Sequence, residues 1–115
     1  MGGGEEFAVV LYGCDEKMAE NVANRLLEEV RMMRIPYQNQ EVGITVSGGI
    51  SAYNGKLNLQ NLNQEELEKI LTEKAEELKS KADRALFYTK ENGKNAITPF
   101  SNVPQDYVSK PKGRG

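Results

Sequence analysis

The chain reads as a mixed α/β protein, one domain of 115 residues in the order strand, helix, strand, helix, short strand. Three observations predict this. An unbroken apolar run lies at Phe7 to Tyr12, two long stretches carry apolar residues at helical spacing, and a β-branched run lies at Val42 to Ile50.

Phe7-Ala8-Val9-Val10-Leu11-Tyr12, entered from glycines and closed by Gly13, has no polar alternation and reads as a strand buried on both faces. Asp15 is a candidate helix cap. After it Ala19, Val22, Ala23, Leu26, Val30 and Met33 repeat at helical spacing, with Glu16, Glu20, Arg25, Glu28 and Arg31 mostly on the other side. Pro36 stops this helix by disfavouring helical geometry at Ile35. Val42 to Ile50 is the second strand, and Gly48-Gly49 inside it marks either a bulge or a close backbone approach. Ser51 to Asn61 is polar and reads as a loop or small hairpin around Asn54-Gly55.

The second helix has the clearest start. Asn63 caps it, Glu66 takes the capping-box position, and Leu62 and Leu67 match a hydrophobic staple. Its stripe of Leu67, Leu71, Ala75, Leu78, Ala82, Ala85 and Leu86 runs on to a stop at Asn92-Gly93, with a weak point near Ser80. Ala96-Ile97-Thr98 is a short last strand ending at Pro99. The domain therefore spans 3–99, and 100–115, with its prolines and basic residues, reads as a mobile, solubilising tail. Three strands with two helices leave the first strand short of neighbours, as though it belonged in the middle of a larger sheet.

Composition narrows the chemistry. Fifteen Lys and Arg against seventeen Asp and Glu give a net charge of −2, which argues against a nucleic-acid polymer as partner. No apolar run approaches the roughly 18–20 residues that span a bilayer. Met1 is followed by glycines and glutamates rather than by a secretory signal, and the single Cys14 suits a reducing compartment, so a cytoplasmic location is expected. With no histidine and one cysteine, the chain has neither a Ser-His-Asp triad nor a His/Cys zinc site. Carboxylates, lysines, backbone amides and hard ions such as Mg²⁺ or Ca²⁺ remain, a set that leans toward phosphate chemistry.

Gly3-Gly4-Glu5-Glu6-Phe7 places glycines and adjacent carboxylates at the entry to the first strand. Glycine lets a phosphate approach the backbone amides, and a carboxylate just beyond can hold Mg²⁺. Adjacent strand residues face opposite sides, so both glutamates serve one site only if at least one lies in the turn. A hairpin turn followed by solvated glutamates accounts for the same residues.

These five residues resemble the signature of the GGDEF domain family, the bacterial diguanylate cyclases, with Glu at the third position. Four further stretches agree in order: Ala8-Val9-Val10-Leu11; Ala19-Glu20-Asn21-Val22-Ala23-Asn24-Arg25-Leu26; Ile44-Thr45-Val46-Ser47-Gly48-Gly49-Ile50-Ser51; and Ala82-Asp83-Arg84-Ala85-Leu86-Phe87-Tyr88-Thr89-Lys90-Glu91-Asn92-Gly93-Lys94-Asn95. The resemblance covers Gly3 to about Ile97.

It implies a truncated GGDEF fold, palm-like as in nucleotidyl cyclases, and an enzyme that condenses two GTP into cyclic di-GMP with release of pyrophosphate. By resemblance, Glu5 is the Mg²⁺ ligand and catalytic carboxylate, Glu6 supports it, the Gly3-Gly4 backbone lies against nucleotide, and Lys90 and Lys94 hold terminal phosphates. Lys94 stands where the family has Arg, which keeps the charge but loses the planar two-pronged grip. The plain alternative for both lysines is pairing with the helix dipole.

On this reading the chain is the C-terminal part of the domain. The family's upstream elements do not precede Met1: a strand with a metal-binding Asp, a Phe-Lys phosphate loop, guanine-reading Asn and Asp, and an R-x-x-D product-binding site. Gly48 also replaces a large apolar residue usual in the second-strand motif, so a core contact is expected to be missing. Two functions follow, a cyclase fragment inactive in isolation or a non-catalytic interaction module. The exposed edge of Phe7 to Tyr12 makes an intertwined homodimer the expected assembly.

Overall fold

The computed structural model describes Val9, Leu11, residues 14–53 and residues 58–108. In chain order these form α1 (Glu16–Met32), β1 (Arg34–Tyr37), β2 (Gln40–Gly43), β3 (Gly48–Ile50), α2 (Gln64–Glu91), β4 (Ile97–Pro99) and a 3₁₀ turn, Phe100–Asn102. The mixed α/β class is as expected. The strands, however, form two separate pairs among the described residues: β1 with β2 antiparallel, and β3 with β4 parallel.

Both helices begin where their caps dictate. The Asp15 carboxylate accepts from the Met18 amide at 2.8 Å. At the start of α2 the capping box is complete, since Asn63 Oδ1 accepts from the Glu66 amide at 2.7 Å and Glu66 Oε1 accepts from the Asn63 amide at 3.0 Å. The weak point expected near Ser80 does not interrupt α2, which is continuous over 28 residues. Ion pairs Lys74–Glu77, Glu77–Lys81 and Lys79–Asp83 bracket that position, at 3.0, 3.1 and 3.1 Å. Pairs at this spacing favour a continuous helix.

Two expectations need correction. Val42 to Ile50 is not one strand: Val42 and Gly43 end β2, and only Gly48–Ile50 continues as β3. The chain after α1 instead turns at Gln38-Asn39, both with positive φ (52° and 66°), into a two-residue hairpin that carries Pro36 inside β1. Both residues of such a turn lie in the left-handed region, which asparagine tolerates better than most residues. The first expected strand, Phe7 to Tyr12, lies outside the described residues except at Val9 and Leu11, which are exposed. Finally, the stretch from Ser101, read as a mobile tail, is packed as far as Tyr107: Val103 is buried, and the Tyr107 ring meets Tyr88 edge-on at 5.1 Å.

β3 lies along α2 in the opposite direction, with Gly48 against Thr89 and Ser51 donating to the Leu78 carbonyl. Of the two readings of Gly48-Gly49, a bulge or a close approach, the structure shows the close approach at Gly49. A methyl group there would overlap the Ala82 carbonyl oxygen and the Leu86 amide nitrogen and come 2.9 Å from the Ala85 carbonyl carbon. Ala85, at the centre of this contact, is wholly buried. Gly48 differs, because its missing side chain is replaced by Ile97 of the neighbouring strand, whose Cδ1 would lie 2.6 Å from an added methyl. The core contact expected to be lost at Gly48 is therefore filled from β4.

Thr89, also buried, closes the joint. Its hydroxyl lies 2.9 Å from the Gly48 carbonyl, 3.0 Å from the Ala85 carbonyl and 2.6 Å from Thr98 Oγ1. With one proton it donates to one carbonyl and accepts from Thr98, so helix and both strands share one polar node. Because backbone atoms block a side chain at position 49 whereas a flexible side-chain tip blocks one at 48, Gly49→Ala should destabilise by about 2–3 kcal/mol and Gly48→Ala by less than about 1 kcal/mol. Urea unfolding of the two variants measures the difference.

Candidate functional site

The signature residues Gly3, Gly4, Glu5 and Glu6 lie outside the described residues. Lys90 and Lys94 are described, and they flank the C-terminal end of α2. Lys90 is in its last turn and exposed, with Nζ 5.8 Å from the centre of the Phe87 ring. Lys94 follows the helix stop and is also exposed.

The stop itself is built by local chemistry. Gly93 turns the chain with φ +113°, and the Lys94 amide donates back to the Thr89 carbonyl at 2.9 Å. This six-to-one closure is the Schellman arrangement that Asn92-Gly93 predicts. The Asn92 amide also donates to Thr89, and its side-chain amide donates to the Tyr88 carbonyl at 2.8 Å. Carbonyls that would otherwise project negative partial charge from the end of α2 are thus partnered, while two ammonium groups flank it. A helix C-terminus ordinarily repels anions. At this one the Tyr88 and Thr89 carbonyls are partnered and two exposed lysines lie close by in the chain.

Beyond Gly93 the backbone stays unusual, since Lys94 and Asn95 both have positive φ, 59° and 53°. A left-handed non-glycine residue costs about 1–2 kcal/mol, less for Asn, so the pair needs outside support. The Asn95 amide donates to Ser47 Oγ at 3.0 Å. Arg31 of α1 donates from Nε to Asn95 Oδ1 at 3.1 Å and from Nη2 to the Asn95 carbonyl at 2.9 Å. From the sequence Arg31 reads as surface decoration of α1. Its partner lies 64 residues away, and no local spacing announces the contact.

Among the described residues no group of three or more Asp, Glu or Cys could hold a metal ion. Two concavities, of about 210 and 500 Å³, lie on the outer face of α1, the first lined by Val22, Arg25, Leu26 and Glu29. Among the described residues α1 alone lines both. Among the described residues no helix is long and apolar enough to cross a membrane.

The model of the diguanylate cyclase GGDEF domain matches residues 2–96, from the signature through the end of α2 and its following loop. This chain belongs to that family. It is 33% identical over 100 residues to Diguanylate cyclase A of Treponema denticola, an alignment that takes in 87% of this chain and 23% of the relative. The chain therefore spans less than a quarter of that relative's length. No solved structure matches the chain.

The segment past the matched residues returns along α2. Arg84 donates to the Tyr107 carbonyl and sits over the Tyr107 ring, 5.1 Å from its centre. The Tyr107 hydroxyl donates to Glu91 Oε1 at 2.6 Å, beside Lys90. Desolvation against α2, and then the Glu91 carboxylate, push the Tyr107 hydroxyl up from about 10 to about 12. A group raised in this way stabilises the fold fully below its unfolded value and loses that contribution as pH climbs through the folded one. Stability should therefore fall between about pH 10 and 12 as tyrosinate forms against Glu91. Tyr107→Phe should remove this part of the alkaline loss, measurable as a flatter dependence of the unfolding midpoint on pH.

Proposed function

We propose that this chain supplies the signature carboxylates and the phosphate-binding lysines of a diguanylate cyclase that joins two GTP into cyclic di-GMP. One observation carries the reading: a single family match runs from residue 2 to residue 96 and so takes in both Gly3-Gly4-Glu5-Glu6 and Lys90 to Lys94. The cationic end of α2 supports it.

The donor chemistry fits Mg²⁺, since Glu5 and Glu6 offer hard carboxylate oxygens in a chain without histidine. Glu5 would hold the ion with Glu6 in support, and the ion when bound neutralises triphosphate charge and polarises the reacting phosphoryl group. Glu5 assists removal of the proton as the 3′-hydroxyl of one GTP attacks the α-phosphorus of the other. The new P–O bond forms as the bond from the α-phosphorus to the bridging oxygen breaks, and pyrophosphate leaves. The reciprocal attack closes the ring, so two GTP yield one cyclic di-GMP and two pyrophosphates. The Gly3-Gly4 backbone admits the nucleotide closely, and Lys90 and Lys94 hold its terminal phosphates. Positioning of this kind supplies much of the rate in phosphoryl transfer.

Two substrates reacting with each other call for two sites face to face, hence a homodimer, and GTP together with a lone cysteine suits the cytoplasm. The exposed Met18, Val22 and Leu26 on the outer side of α1 favour a second reading, a non-catalytic module that binds through this apolar face. Turnover separates the two. With GTP and Mg²⁺, the 115-residue chain should form no cyclic di-GMP above a Glu5→Ala control, because the signature carboxylates alone do not complete a metal and guanine site. The chain extended by the coding sequence upstream of Met1 should form it, with Glu5→Ala lowering the rate at least about a hundredfold. Chromatography of the nucleotides reads both. An extended chain whose turnover is indifferent to Glu5→Ala would refute the cyclase assignment and leave the module.

A further inference from the structure

Arg31 belongs to the last turn of α1, yet its guanidinium is occupied mainly with the loop that follows α2. Nε holds the Asn95 side chain and Nη2 the Asn95 main-chain carbonyl, at 3.1 and 2.9 Å, while Nη1 donates to Glu28 at 2.8 Å. Grasping the side chain and the main chain of one residue fixes both its place and its backbone torsions, which a single ammonium could not do. On the other side the Asn95 amide is anchored to Ser47 at 3.0 Å. Lys94, next in the chain and also left-handed, has its own amide tied to Thr89 at 2.9 Å. The direction in which the Lys94 side chain leaves the backbone is therefore set by α1, through Arg31, as well as by α2.

We propose that Arg31 is a positioning residue for the phosphate-binding Lys94: it holds the Lys94-Asn95 loop in its left-handed form and does not itself bind phosphate. All three nitrogens of the guanidinium are engaged with protein acceptors, one of them a carboxylate that offsets its charge. The inference rests on the reading of Lys94 as a phosphate ligand given above, and its test separates the two.

The probe is inorganic tripolyphosphate, titrated into the 115-residue chain and followed through backbone amide resonances, with variants Lys94→Ala, Arg31→Ala, Arg31→Lys and the double variant Arg31→Ala/Lys94→Ala. Lys94→Ala should weaken binding about threefold, the size expected for one exposed ion contact. Arg31→Ala should weaken it by a similar factor, and Arg31→Lys should not restore it, because charge without the forked geometry leaves Asn95 loose. The double variant should be no weaker than Lys94→Ala, since Arg31 acts only through Lys94. If Arg31→Ala does not fold, Arg31→Lys against Lys94→Ala completes the same cycle. Affinity that survives Arg31→Ala but falls with Lys94→Ala overturns the positioning role and leaves the phosphate reading standing. Losses that multiply in the double variant, or a full rescue by Arg31→Lys, make Arg31 a direct ligand and also overturn it. Affinity unchanged in Lys94→Ala overturns the phosphate reading itself, and the proposal with it.

Discussion

The close approach of Gly49 to the backbone of α2 is the constraint on which the rest of the structure depends. With no side chain at that position, β3 settles directly onto Ala82, Ala85 and Leu86. That contact brings Gly48 to the Thr89 hydroxyl and lines β3 up with β4, so that Gly48 pairs with Ile97 and Gly49 with Thr98. The Gly48 amide then takes the Ala96 carbonyl at 2.9 Å, which fixes the loop leaving α2. α1 joins the assembly last, touching β3 and β4 and reaching across to Asn95 through Arg31.

This arrangement gives the C-terminal end of α2 its character. The Tyr88 and Thr89 carbonyls accept from Asn92 and Lys94 and the following loop is braced by Ser47 and Arg31, so two lysines stand beside a closed helix end. Elsewhere the molecule is thinly covered. Leu27, Ala85, Pro99 and Val103 are the buried apolar residues among those described, while Met18, Val22, Leu26 and Leu71 are exposed. Among the described residues the Met18, Val22 and Leu26 side of α1 is uncovered while Leu27 is buried.

What was legible in the sequence was local. Asn63 and Glu66 lie three residues apart and satisfy each other within one turn, so the start of α2 could be read from composition and spacing alone. Gly48-Gly49 could be read as either a bulge or a close approach, and the structure shows the second at Gly49. The hairpin after α1 was hidden, since Gln38-Asn39 lacks the glycine that usually advertises such a turn and Pro36 reads only as the stop of the preceding helix. The packing of residues 101–107 depends on Tyr107 finding Tyr88 and Glu91, partners on the far side of a strand and a turn. Arg31 was unreadable for the same reason, because nothing near it in sequence distinguishes it from any other cation on a helix. The family motifs were legible over most of the chain, but the signature carboxylates stand outside the described residues, and their meeting with Lys90 and Lys94 rests on the resemblance.

The central claim is that the joint of α2, β3 and β4 is the rigid unit that presents the end of α2, with the hairpin an appendage. Native-state hydrogen exchange, amide by amide, tests it most directly. The account predicts the slowest exchange at the Gly48 amide, in the Ala85 to Thr89 stretch of α2 and in β4, with the Lys94 and Asn95 amides protected alongside them and the β1–β2 hairpin exchanging far sooner. Protection spread evenly over the chain, or a hairpin that outlasts the Gly48 amide and Ala85 to Thr89, would contradict it.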